Sequence, residues 1–111
     1  MKYLVFALLS HVALAQDPCG AVPVAQEGLR QAQARLEVGE ADRLEVLRAE
    51  IEVANSQLRC DGDRAAWCAQ VLPLRREVVA VTSELRAAGR ANAEQLRIAQ
   101  RAVLGTQKRC E

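Results

Sequence analysis

Histidine and aromatic residues are nearly missing from this chain: its 111 residues hold one histidine, His11, and one each of Trp, Tyr and Phe. Acid–base chemistry near neutral pH usually recruits imidazole. Its scarcity leaves such roles to Asp, Glu, Ser or Cys, and none of these gather into a recognisable set. The carboxylates stand singly among arginines, as on a solvated helix face, and Ser56 and Ser83 have no base in a recognisable arrangement. A glycine-rich phosphate loop is also lacking. No enzymatic activity and no cofactor are expected. The near-balanced charge of +1 and the single Trp give neither an electrostatic footprint nor a stacking platform for nucleic acid.

A long apolar run is lacking as well. The one apolar stretch, Tyr3 to Leu14, falls short of the roughly 20 residues that a membrane-crossing helix needs. Lys2 precedes it, and Ala13, Leu14 and Ala15 lie at cleavage-site spacing, so residues 1–15 read as a signal peptide and Gln16 as the first mature residue, with a short uncleaved anchor as the alternative. Asp17 and Pro18 before Cys19 exclude a lipid-attachment site. The expected location is secreted or periplasmic. Removing 1–15 takes away Tyr3, Phe6 and His11 and leaves Trp67 as the last aromatic.

Cysteine, by contrast, is present in an even number: Cys19, Cys60, Cys68 and Cys110. In a short exported chain this reads as a disulfide framework. The gaps of 41, 8 and 42 residues lack the close pairs of a zinc site, so no metal is expected.

The remainder is patterned for helix. Leu36, Leu47 and Leu58 are spaced by eleven, with Leu29, Leu44 and Ile51 in the same stripe, which predicts an arm over 24–59. Pro23 suits a helix start, and Cys60, Asp61, Gly62 and Asp63 supply a turn at 60–63. Val71, Leu74, Val78, Val81, Leu85 and Ala88 step as coiled-coil positions do, and Asn92, Leu96, Ala99 and Val103 continue them into a second arm, 64–109. The steps of four at Ala88, Asn92 and Leu96 read as a stutter in a nearly straight pair. The expected fold is all-α, an antiparallel two-helix hairpin over 16–111.

Folding back about Asp61 to Asp63 sets Cys60 level with Cys68, Gly39 with Gly89, and Cys19 with Cys110. Along one unbroken helix Cys19 and Cys60 would stand roughly 60 Å apart. The expected pairs are therefore Cys19 with Cys110 and Cys60 with Cys68. Two features disturb a straight hairpin. Pro73 removes a backbone donor to Ala69, level with Asn55. Gly39 and Gly89 weaken both arms and allow an elbow into a shorter helical bundle.

Residues 16–60 carry eight acids and five bases, and 61–111 six acids and nine bases, so the arms are expected to pair by charge. Arg86, Arg90, Arg97, Arg101 and Lys108 would form one basic stripe, a contact face for a protein partner or an acidic envelope polymer. Trp67 beside Cys68 is expected to cover the tip of the core or to anchor a partner. Exposed helix faces would also permit self-association. A two-helix hairpin offers no deep pocket.

The closing segment EQLRIAQRAVLGTQKRCE, Glu94 to Glu111, resembles the C-terminal end of the phage inner-membrane spanins of the Rz type. That resemblance implies a helical envelope protein that assembles through disulfides during lysis, with Cys110 as the matching cysteine. The part LRIAQRAVLGTQKRC is also similar to the closing helix of the periplasmic LprI-type lysozyme-inhibitor domain, which implies a periplasmic inhibitor. The bottom-up reading beside these is a non-catalytic binding or scaffold module.

Overall fold

A computed structural model describes residues 17–111; the expected signal peptide, 1–15, lies outside the described residues. The protein is all-α. After a 3₁₀ turn at Pro18–Gly20 come α1 (Ala21–Glu37), α2 (Arg43–Asp61), α3 (Arg64–Ala87) and α4 (Ala93–Arg109). Each helix lies against its neighbour in sequence: α1 on α2, α2 on α3, α3 on α4. Among the described residues the backbones of α1 and α4 do not meet, nor do those of α2 and α4. The result is an open zigzag of extents 62 × 38 × 22 Å, not a closed bundle.

The expected arms 24–59 and 64–109 are each broken in the middle, and the same local chemistry breaks both. Gly39 (φ 76°) and Gly89 (φ 73°) adopt left-handed backbone, where a side chain is strained. At the first, the Gly39 N–H donates to Leu36 O and the Glu40 N–H to Arg35 O; at the second, Gly89 donates to Arg86 O and Arg90 to Leu85 O. These are Schellman endings, which satisfy the last carbonyls of a helix. Three residues later a new helix is capped: the Asp42 carboxylate accepts from the Glu45 N–H at 2.9 Å, and the Asn92 side chain accepts from the Gln95 N–H at 2.8 Å. The Gln95 side chain also accepts from the Asn92 N–H, completing a capping box. The steps of four at Ala88, Asn92 and Leu96 therefore mark a helix end and a helix start, not a stutter. The chain also reverses between α2 and α3, but more tightly than the expected 60–63 turn: α2 runs on through Cys60 and Asp61, Gly62 sits at φ 68°, and Asp63 caps α3 through the Ala66 N–H.

These breaks correct the cysteine pairing. The bonds are Cys19–Cys60 and Cys68–Cys110, with Cα separations of 4.5 and 5.9 Å. The distance that seemed to forbid Cys19–Cys60 assumed an unbroken helix; because the chain reverses at Gly39, α2 carries Cys60 back to Cys19. All four cysteines are used within the chain.

Two equivalent units emerge, each a helical hairpin with a left-handed glycine at its bend and a disulfide across its open end. Pro23 and Pro73, Glu27 and Glu77, Gly39 and Gly89, Arg59 and Arg109, and Cys60 and Cys110 each lie fifty residues apart. Gly39 and Gly89 are thus related by repetition along the chain, not by folding back about Gly62.

The packed interior is small. Ala54, Trp67 and Val71 form its centre where α2 meets α3, with Ile51, Leu58, Cys68 and Cys110 against them. Val46 and Leu47 of α2 are fully enclosed. In the second unit the buried positions include Thr82 and Thr106 beside Ala99. So little apolar burial is typical of chains that rely on covalent closure.

Charge pairing between the arms also differs from expectation. The one ion pair joining them among the described residues is Arg43 with Glu77 at 2.7 Å, a base of the first half with an acid of the second.

A peptide map of the non-reduced protein should show Cys19 joined to Cys60 and Cys68 to Cys110. Replacing either pair by serine should lower unfolding stability in urea by about 2–4 kcal/mol, from the entropy of opening a loop of about 40 residues. Gly89→Val should cost about 1–2 kcal/mol on the same measurement, from left-handed strain.

Candidate functional site: a groove framed by three helices

Because α2 and α4 both rest on α3 while their backbones do not approach each other, a groove of about 410 Å³ opens between them. Val78, Thr82 and Leu85 of α3 form its floor at helical spacing. Leu44 and Ile51 of α2 make one wall, and Ile98, Ala99 and Ala102 of α4 the other. Ile98 is 57 % exposed although it faces this concavity. The charged residues lining it are Asp42, Arg48, Arg75 and Arg90. Asp42 is engaged in capping α2. Among the described residues, Arg48, Arg75 and Arg90 make no ion pair.

Arg75 connects the groove to the interior. Its guanidinium donates to the Thr106 hydroxyl, which in turn donates to the Ala102 carbonyl at 2.8 Å. Burial, and after it the like charge of Arg109, pull the Arg75 pKa below its ordinary value. Arginine stays cationic at neutral pH regardless. The same guanidinium lies 5.9 Å from the centre of the Trp67 ring, and that of Arg109 lies 4.4 Å from it. The indole N–H donates to Asn55 Oδ1 at 2.8 Å. Trp67 of α3 is thus held by Asn55 of α2 and Arg109 of α4, beside the Cys68–Cys110 bond.

The residues singled out from the sequence are dispersed. Trp67 is 3 % exposed, so it covers the core and is not an exposed anchor. Asn55, expected level with Pro73, accepts from the indole. The basic stripe is interrupted: Arg86 ends α3, Arg90 sits in the bend, and only Arg97, Arg101 and Lys108 share α4. Arg97 pairs with Glu94 of its own helix. Arg90 alone of the five lines the groove. Sequence reasoning missed Arg48, Arg75 and Ile98, and it expected no pocket. The readable signal was the pair of motifs Gly39-Glu40-Ala41-Asp42 and Gly89-Arg90-Ala91-Asn92, each a helix stop followed by a cap, which turns two helices into four.

Other features are weaker. Arg76, Val79, Gln100, Val103, Leu104 and Gln107 line an open furrow on a different face of the α3–α4 pair. Among the described residues no three His, Cys, Asp or Glu side chains stand together as metal ligands, and no helix is long and apolar enough to cross a membrane. Comparison with family models, with curated proteins and with solved structures returned no match.

Trp67→Ala should lower unfolding stability by about 3–5 kcal/mol, read by urea denaturation under circular dichroism. Arg109→Ala, which removes the nearer cation, should cost about 0.5–2 kcal/mol on the same scale. Stability should be level between about pH 6 and about pH 8, since residues 17–111 hold no histidine and the cysteines are oxidised. The Glu27 carboxyl is held below its ordinary value by its hydrogen bond from Arg30. Its contribution is present above the ordinary carboxylate pKa and is lost only as acid protonates it below that value.

Proposed function

We propose that this chain is an exported, non-catalytic binding module that presents helix faces to a protein partner. The groove carries this reading: a largely apolar floor framed by three helices, with arginines at its edge that make no ion pair among the described residues. Two covalently closed hairpins hold those helices in place, so binding need not first order the surface, which favours affinity. The Tyr3 to Leu14 segment and the intrachain bonds suit an oxidising compartment. The spanin-like alternative needs Cys110 to join another chain. Here its sulfur is bonded to Cys68, so linking would require that bond to open first. Nothing particular favours the inhibitor-like alternative.

The test is intact-mass analysis, without reduction, of the full chain recovered from expressing cells after separation of cytoplasm from envelope and medium. The expected species begins at Gln16, lies outside the cytoplasm and carries both bonds as a single chain. Recovery of reduced protein with Met1 to Ala15 retained in the cytoplasm would overturn the export reading; recovery of chains cross-linked through Cys110 would make the spanin-like alternative the better one.

A further inference from the structure

We infer that the groove takes a short amphipathic helix of a partner protein, about three turns long, with apolar side chains on one face and carboxylates along its edges. The inference rests on the binding reading above and names the partner's chemistry.

Shape is the first argument. α2, α3 and α4 supply three sides of a four-helix arrangement, and α1 does not supply the fourth, since its backbone meets neither α3 nor α4. The floor follows helical spacing along α3 from Arg75 to Leu85, a length of about 15 Å, which matches about ten helical residues. A guest helix seated there would meet Leu44, Ile51, Val78, Leu85 and Ile98, the groove-lining mode by which amphipathic helices are recognised.

Charge selects the guest. Arg48 and Arg90 are exposed at the groove and unpaired among the described residues, and Arg75 donates through one nitrogen to a neutral hydroxyl. Guanidinium groups match carboxylates in two-point hydrogen bonds and repel a basic helix. A second copy of this chain is a poor occupant. The exposed apolar face of its α1, at Pro23, Val24 and Gly28, offers one carboxylate, Glu27, already bonded to Arg30.

The test uses the purified, oxidised protein and two synthetic peptides of about fourteen residues, long enough to fill the groove, with leucines on one face and either glutamates or lysines flanking them. Affinity is read by titration calorimetry. Trp67, the only tryptophan, reports the location, because Arg75 both lines the groove and lies 5.9 Å from the centre of its ring. The glutamate peptide should bind saturably with a change in Trp67 emission, at least about tenfold more tightly than the lysine peptide. Arg48→Glu with Arg90→Glu should remove that preference or invert it, and Ile98→Lys should weaken the glutamate peptide about tenfold or more. Arg101→Glu, outside the groove on the same helix, should leave binding unchanged. All four positions are exposed, and circular dichroism checks that each variant folds. The inference is overturned if neither peptide binds, if both bind alike, or if the charge reversal has no effect. It is also overturned if phosphatidylglycerol vesicles bind at these arginines and the peptides do not, or if sedimentation shows a dimer that Ile98→Lys dissolves. Any of these outcomes with export verified leaves the exported, disulfide-closed chain standing and removes the groove as its contact face.

Discussion

Each half of this protein is closed at both ends, and everything else in the structure follows from that closure. At one end a glycine in left-handed backbone ends a helix and a capping Asp or Asn starts the next; at the other a disulfide joins the two helices where they would otherwise fray. Neither device needs a large core. The chain has few residues to spend on one: apart from Trp67 its buried side chains are aliphatic or small polar groups, and Thr82, Thr106 and Ser56 occupy places that larger apolar side chains hold in bulkier domains. Loop closure removes unfolded-state entropy that burial alone would struggle to offset.

Because each hairpin is closed by itself, the two need only one shared interface, between α2 and α3. The array can stay open. In a closed bundle a fourth helix would cover Val78, Leu85 and Ile98; here they line a groove reached by solvent. The seam between the units is strongest at one end, where Trp67 takes a hydrogen bond partner from α2 and a cation from α4. Arg75 serves both regions, bonded to Thr106 within the second unit and present at the groove. The surface that can recognise and the interior that holds it in place therefore share a side chain.

Much of this was legible in the residues. Periodic leucines and valines gave helix over nearly the whole described chain, and the Cys60 to Asp63 cluster gave the central turn. The even cysteine count gave disulfides. Gly39 and Gly89 mark the places where the arms can fold over as an elbow, and the chain does bend there; apolar spacing that runs on through them in register is what favours unbroken arms instead. A Schellman ending is a matter of backbone hydrogen bonds, and its only marks in the sequence are a glycine and a cap three residues on. Once those marks are missed, the error spreads: the arms become too long, Cys19 seems out of reach of Cys60, and Arg86 to Lys108 appear as one stripe.

The sequence by itself determined the helical class, the central turn and the use of all four cysteines, because these depend on periodicity, composition and local capping. Tertiary structure decided which cysteines meet, which arginines gather, and that a groove exists at all. Those outcomes depend on the direction in which the chain leaves each bend. A single left-handed glycine reverses that direction, and the residues it brings together lie tens of positions apart, where no local pattern records the contact.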